Sequence, residues 1–487
     1  MKQISFHLLL VASLAGSLFG QARPNVVFIV CDDLNTHVST SDYPYINTPA
    51  FDSLAETGMT FKRAYCQYPV CGPSRASFLS GLYPQSTGIT NNSTDIRNER
   101  PGTVSMPQAF REQGYWTAVT GKIFHNSKTD PGEAVWDEQT FFWNDEMPLE
   151  KQAREEFEAI HGSIDDRKNR QLWKNFLLKY APQTMNQTPG WGPSGLTDAE
   201  HRDGKNAAQV REWIEAGSFG DDPFFMAVGI HKPHIPFLAP DKYFEMYPKK
   251  DLKYGYTPSN FWDTAPRSAI SKRYEGFGFE LGVENEDLRR EYMQAYHACV
   301  SFIDAQIGSI FESLKENNLW EDTIVVLTSD HGYHLGEHFL WGKVTLFEMS
   351  ARVPLLIRVP GKTKANTTSD GLVELIDLFP TLAELCGITT PSDLQGQSLV
   401  PLLENPSRPG KEAVYTVVSR GKQLGKAIRT KRWRYARWPD GEELYDLVND
   451  IEEHKNLAKN PTYGSELKLM RDYLDQCEAK AIGARLF

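Results

Sequence analysis

Short apolar runs rich in β-branched residues recur along the chain, and each runs into a polar cluster. Asn25 to Val30 (NVVFIV) is continuously apolar, not alternating, which suits a strand buried on both faces of a parallel sheet. It leads into Cys31-Asp32-Asp33. Trp116 to Thr120 predicts a strand that delivers Gly121-Lys122-Ile123-Phe124-His125. Phe224 to Gly229 (FFMAVG) delivers Ile230-His231-Lys232-Pro233-His234-Ile235-Pro236, where two prolines exclude helix and predict an extended loop. Thr323 to Leu327 runs into Ser329-Asp330-His331-Gly332-Tyr333-His334, and Val353 to Val359 predicts a further strand.

Helical spacing separates these runs. Thr48 and Pro49 form a helix start, Thr as N-cap and Pro in the first turn, with Gly58 closing the helix. Met106 to Gln113 predicts a helix closed by Gly114, and Asp198 to Glu215 an amphipathic one. Glu286 to Asn317 predicts a long helix whose buried stripe includes Tyr292, Ala295, Tyr296, Cys299, Phe302, Ile303 and Ile307. Asp377 opens another. Asn126 to about Gly195 is irregular and rich in Trp, Pro, Asn and charge, as an insertion at the ligand edge of a sheet would be. Beyond about Pro401, Val414 to Val418, Ala427 to Thr430, Trp433 to Trp438 and Gly441 to Leu447 predict a small antiparallel sheet. A helix over Glu466 to Lys480, with Ser465 as N-cap, closes it. Buried strands alternating with helices argue an α/β sandwich. The expected division is a leader over residues 1–22, a main domain over 23–400 and a C-terminal subdomain over 401–487.

Asp32 and Asp33 stand at the C-terminal end of a buried strand, where α/β sheets place ligands. An acidic turn is one reading of the pair; since adjacent carboxylates repel, a bound cation is the other. Asp330 and His331 present a second carboxylate and a possible ligand at another strand end. Cys71 sits just ahead of a short helical run, whose first N–H groups favour a nearby anion. Lys122, His125, His231, Lys232, His234 and, further on, Lys343 supply candidate cations and proton carriers.

The 487 residues are 40% hydrophobic and 12% aromatic, enough for a large core. A net charge of −11 argues against a nucleic-acid or membrane-surface partner, so attraction for an anionic substrate must come from a local basic pocket. Lys2, the apolar run Leu8 to Leu18 and the small residues Gly20 and Ala22 form a secretory signal pattern, with an uncleaved anchor as the alternative. No other segment is apolar enough to span a bilayer. The expected location is exported, periplasmic or secreted. Six cysteines in so long a chain are not a disulfide framework.

Cys71-Gly72-Pro73-Ser74-Arg75, followed three residues later by Leu79-Ser80-Gly81, resembles the signature of the type I sulfatases. The segment from Thr48 to Gly58 resembles the T-P-x-x-D-x-L-A-x-x-G stretch of that family. Gly121 to His125, with one extra residue before the histidine, and His231 to Phe237 are similar to the iduronate-2-sulfatase-like branch. The resemblance runs from Asn25 to about Ala458. It implies an alkaline-phosphatase-like α/β fold, with a large mostly parallel sheet and a small C-terminal α+β subdomain.

It also implies that a formylglycine-generating enzyme oxidises Cys71 to formylglycine, whose hydrate attacks sulfur with one of its two hydroxyls. Asp32, Asp33, Asp330, His331 and the residue derived from Cys71 would hold calcium, His331 departing from the Asn of most sulfatases. Arg75, Lys122 and Lys343 would clamp the sulfate, His125 would bond the second hydroxyl, and His231 would protonate the leaving oxygen. Tyr333 and His334, after the Asp330-His331-Gly332 turn, are expected to face substrate; Lys232 and His234 would add charge for a carboxylate. The implied reaction is exo-acting hydrolysis of a sulfate ester on a carbohydrate, from glycosaminoglycan or algal polysaccharide fragments. The alternatives are a phosphatase or phosphodiesterase of the same superfamily, against which Cys71 in its Pro-Ser-Arg setting argues, and an inactive carbohydrate-binding relative.

Overall fold

A computed structural model describes residues 23–483 except 127, 143–144, 146–147, 181–189, 254 and 271–285. The expected leader and part of the irregular segment thus lie outside the described residues. The central sheet has eight strands: β1 (Asn25–Asp32), β2 (Met59–Tyr65), β3 (Trp116–Gly121), β4 (Glu138–Thr140), β5 (Phe224–Pro233), β6 (Thr323–Ser329), β7 (Arg352–Arg358) and β8 (Thr367–Glu374). Their spatial order is β8-β2-β7-β6-β1-β5-β3-β4. β7 is antiparallel to β2 and β6; every other neighbouring pair is parallel.

β1 is central, with Val27 in register between Met226 of β5 and Val325 of β6. Both of its faces are covered, which is why its sequence is apolar without alternation. Val27 and Ile29 enter one core, with α1 (Pro49–Thr57), and Val26, Phe28 and Val30 enter another, with α2 (Cys71–Ser80) and α3 (Met106–Glu112). Two helices, α4 (Pro148–His161) and α5 (Arg170–Tyr180), lie within the segment the sequence pattern leaves irregular. α6 (Arg202–Ala216) and α7 (Glu286–Glu316) pack on the α1 face, and α8 (Leu378–Cys386) on the α2 face. A four-stranded antiparallel sheet, β9 (Ala413–Arg420), β10 (Gln423–Thr430), β11 (Trp433–Trp438) and β12 (Gly441–Asp446), carries its own core against α9 (Gly464–Gly483).

Several helix ends differ from expectation. Thr48 occupies the N-cap position of α1 but makes no capping bond. The Asp304 carboxylate of α7 accepts the N–H groups of Ala50 and Phe51 instead, and the Thr48 hydroxyl accepts the Ser39 N–H at 3.0 Å. α6 begins at Arg202 and not at Asp198, because Thr197 and Glu200 close a separate turn first. Ser465 lies inside α9, its hydroxyl bonded to Glu466, so it is not the cap. β5 continues to Pro233, so its last residues are strand where a loop was expected. All six cysteines are free thiols.

Candidate active site

The parallel strands share one direction, so β1, β3, β5 and β6 bring Asp32, Lys122, His231 and Asp330 to one edge of the sheet. β2 leads to the same edge, where Cys71 is the first residue of α2. Two glycines allow the strands to approach there. Gly121 has φ +69°, and a Cβ on Gly229 would stand 2.1 Å from the Lys122 carbonyl carbon. Lys122 can therefore cross directly over β5.

The thiol of Cys71 is buried among cations. Its Sγ lies 3.1 Å from Lys343 Nζ and 3.4 Å from His331 Nε2, and the His125 side chain hydrogen-bonds it. Burial raises the thiol pKa, but Lys122, Lys343 and His331 outweigh it and hold the group well below the usual thiol range. Lys343 is presented by a constrained turn: Val344, a β-branched residue, sits at φ +70°. The Val344 N–H donates to Pro69 at 3.2 Å, and its carbonyl accepts from Arg420 at 2.8 Å.

The carboxylates interlock with these cations. Asp32 accepts Lys122 Nζ at 2.6 Å and Arg75 Nη2 at 3.4 Å. Burial and the Cys71 charge raise its pKa, yet Lys122, His234 and Arg75 bring the net shift downward. Asp33, in the left-handed region at φ +67°, turns one oxygen to Lys343 and leaves the other, Oδ2, buried with no hydrogen bond. Its N–H donates to Asp330 Oδ1 at 3.2 Å. Tyr296 of α7, read from sequence only as core, donates its hydroxyl to the Asp33 carbonyl at 2.8 Å and accepts the Asn35 N–H. Burial pushes Asp330 up to about 7.

His331 Nδ1 faces the Gly332 carbonyl at 3.0 Å, which can only accept, so Nδ1 carries the hydrogen. A neutral ring then points the Nε2 lone pair at Cys71 and Asp33. Burial opposes charge on this ring, but Asp330 beside it sets its pKa at about 9. Ligand atoms of Asp32, Asp33, Cys71 and His331 all lie within 4.8 Å of one another. A buried carboxylate oxygen without a donor, beside further oxygens and one imidazole nitrogen, fits a hard divalent cation.

The residues predicted from sequence divide into three groups. Asp32, Asp33, Cys71, Lys122, His125, Asp330, His331 and Lys343 converge at the centre. Arg75 is there too, but it donates to Asp330 Oδ2 at 2.9 Å, to Asp32 and to the carbonyls of Lys122 and Ile123. Its guanidinium braces strand ends instead of being held open for an anion. His231 lies close enough to feel the Lys122 charge, and His234 is partly exposed with Nε2 3.9 Å from Asp33 Oδ2.

Lys232, Tyr333 and His334 do not face a cleft, and here the expectation is corrected. Lys232 is 1% exposed, with its ammonium on the Pro236 carbonyl. Tyr333 stacks on Tyr296 and meets Phe237 edge-on inside the α7-side core. His334 is fully buried, paired through Nε2 with the Thr345 hydroxyl at 2.8 Å. The Gly332 N–H donates to Ser350 at 2.8 Å, and His334 pairs with Gly342 in a short ladder, so the chain folds inward just after the His331 turn.

One buried carboxylate was missed. Asp203 of α6 accepts the N–H groups of His231 at 2.8 Å and Lys232 at 2.9 Å, and its Oδ1 lies 3.3 Å from His231 Nδ1. The signal was present: Asp203 shares a helical stripe with Ala207, Val210 and Ile214, all buried. Burial, then Arg202, lowers the pKa of His231 to about 4 against the opposing pull of Asp203.

A mostly parallel sandwich with this cluster at its C-terminal edge defines a hydrolase of the alkaline-phosphatase-like class. Within that class the chain belongs to the sulfatase family, whose model matches residues 24–388; the N-sulphoglucosamine sulphohydrolase C-terminal model matches residues 336–480. The chain is 30% identical over 479 residues to a sulfatase of Formosa agariphila, covering 94% of this chain and 87% of that one. It is 30% identical over 433 residues to iduronate 2-sulfatase of Mus musculus, covering 80% and 74%. A solved complex with the substrate D-glucosamine-2-N,6-O-disulfate superposes with a TM-score of 0.71 at 21% identity, covering 94% of this chain and 98% of that one. Among the described residues no helix is long and apolar enough to cross a membrane.

Proposed function

We propose that this sulfatase hydrolyses a sulfate ester on a carbohydrate, exo-acting on a uronate-containing saccharide, through a formylglycine derived from Cys71 and with calcium. The observation that carries the reading is the setting of Cys71: Sγ at a helix start, 3.1 Å from Lys343 Nζ, 3.4 Å from His331 Nε2 and 3.9 Å from Oδ1 of Asp33, whose other oxygen has no donor. The carbohydrate part is supported by relatives named as an iduronate 2-sulfatase and as an N-acetylglucosamine-6-O-sulfatase.

Calcium held by Asp32, Asp33 and His331, with Asp330 3.6 Å from His331 Nε2 as a further carboxylate, would polarise the sulfate and favour the ionised nucleophile. Formylglycine would supply the hydroxyl that attacks sulfur, and a second hydroxyl that lets sulfate be eliminated with return of the aldehyde. The Cys71 Sγ marks the place of that nucleophile. Lys122 and Lys343 offset the negative charge gathered around sulfur. His125, with Nδ1 buried and free of a hydrogen bond, takes the proton of the second hydroxyl. His231 gives its proton to the departing sugar oxygen. Its pKa of about 4 belongs to the substrate-free site; an anionic ester beside it favours the charged ring. His234, partly exposed beside Asp33, is the remaining candidate for contact with the sugar.

Export to the periplasm or medium, through the leader over residues 1–22, belongs to the same proposal. So do maturation by a formylglycine-generating enzyme and a division near residue 400. The test is a panel of sulfated mono- and oligosaccharides, with an aryl sulfate and its phosphate analogue, reading free sulfate and phosphate. Turnover of sulfated sugars well above the phosphate ester is expected. Turnover of the phosphate ester alone, or of none of them by protein carrying formylglycine, would overturn the reading.

A further inference from the structure

We propose that a groove beginning beside Cys71 binds a second, negatively charged sugar residue of the substrate; this deepens the carbohydrate sulfatase reading and rests on it. The groove holds about 900 Å³, room for a saccharide ring beyond the one that carries the ester. Val70 and Val344 line its inner end, and they are the chain neighbours of Cys71 and Lys343. One wall is the Asn91–Ser93 turn, fixed to the helix start by Asn92 Oδ1, which accepts the Gly72 N–H at 2.9 Å. The other wall carries Arg267 and Arg420. A saccharide with its ester at Cys71 would enter this groove past Val70 and Val344.

Charge selects the occupant. The chain carries −11 overall, yet no Asp or Glu lines this groove while two arginines do. Arg420 lies on Trp438, and the carbonyls of Ser268, Ala269, Val344 and Ser419 take its donors. Among the described residues no carboxylate pairs with Arg420 or Arg267. Asp440 is close by, bonded to the Ser268 N–H at 3.2 Å, but does not line the groove. The exposed Arg267 guanidinium, with the Arg420 charge behind it and among asparagine and serine groups suited to hydroxyls, fits a carboxylate- or sulfate-bearing sugar.

Arg420 also holds the Val344 turn, so its removal would disturb Lys343 as well. The test therefore uses Arg267→Glu and Ser93→Glu, exposed positions on opposite walls. For wild type and each variant, kcat/KM is measured on a sulfated uronate-containing tetrasaccharide, on the sulfated monosaccharide, and on a tetrasaccharide with a neutral neighbouring ring. Wild type should prefer the charged tetrasaccharide, and its advantage over the monosaccharide should fall about tenfold in each variant, the size of a lost charged hydrogen bond. The neutral-neighbour substrate should lose less. A tetrasaccharide-to-monosaccharide ratio at the wild-type level in both variants, or no preference in wild type, would overturn the groove assignment. If no sulfate ester turns over, calorimetric titration with an unsulfated uronate tetrasaccharide separates the two claims. Binding that weakens in Arg267→Glu keeps the groove while the sulfatase substrate reading falls; absent or unchanged binding overturns the groove.

Discussion

Asp203 Oδ1 lies 3.3 Å from His231 Nδ1 while also accepting the His231 backbone N–H at 2.8 Å, so one buried carboxylate fixes both the ring and its strand. A ring held with Nδ1–H toward a carboxylate presents Nε2 for proton transfer. The pair belongs to α6 and β5, and nothing in the His231 to Pro236 segment alone announces it.

Asp203→Asn should therefore slow sugar-ester hydrolysis about tenfold to a hundredfold, and aryl sulfate hydrolysis less, because an aryl oxide leaves without a proton. The sign of the pH effect is fixed. Asp203 raises the His231 pKa against burial and Arg202, and the acid role needs the charged ring. Removing the charge lowers that pKa, so the alkaline fall of activity moves to lower pH. Equal losses on both esters and an unmoved pH profile would contradict this role.

His334→Gln tests the inward placement of a residue that the sequence pattern put at the substrate. Kinetics on the best substrate should stay at the wild-type level. Burial lowers the His334 pKa to about 3, so below the unfolded value of 6.5 the unfolded chain takes up a proton that the folded one refuses. Wild type then loses stability as pH falls from 6.5, and the variant lacks that loss. Between pH 7.5 and pH 5 the variant should gain about 2 kcal/mol relative to wild type, read by denaturant titration. An unchanged difference across that range, or a large kinetic defect, would contradict the placement.

The lone oxygen of Asp33 makes a prediction about metal. Asp33→Asn should lose bound calcium, measured by elemental analysis, and activity should fall by more than about a hundredfold. Chelation of wild type should produce the same loss, reversed by added calcium. Full metal content in the variant would contradict the ligand set.

Gly229→Ala should fail for a steric reason. The new Cβ would meet the Lys122 N, C and O atoms at 2.1 to 2.2 Å, and backbone cannot give way as a flexible side chain does. A loss of about 3 kcal/mol in stability is expected, together with lower kcat as Lys122 is displaced. Wild-type melting and kcat would contradict the close crossing.

Much of this was legible in the sequence because the strands bearing chemistry are buried on both faces. NVVFIV, FFMAVG and the Thr323 run are unbroken apolar words, and each runs directly into its functional residues. The missed elements are those whose pattern is set by neighbours. β2 contains Lys62 and Arg63 and is a strand because β7 and β8 flank it, while β8, which reads TTSDGLVE, is one because β2 completes its ladder. Thr48 stands at the N-cap position as read, but the carboxylate that takes the first N–H groups of α1, Asp304, is far along the chain and could not be read from the segment. Tyr333 and His334 were misplaced because closeness in sequence to Asp330 and His331 does not fix which way a turn folds; the Ser350 and Thr345 contacts do. Arg75 was legible as a site residue, but its engagement with Asp330, Asp32 and two carbonyls was not.

The central claim is that Cys71 is the precursor of the nucleophile. It is tested by mass spectrometry of the peptide spanning Cys71, on protein whose sulfatase activity has been measured in the same preparation. The account predicts an aldehyde at position 71, in a fraction that tracks specific activity, and near-complete loss of activity in Cys71→Ser. A fully active preparation carrying only the unmodified thiol would contradict it.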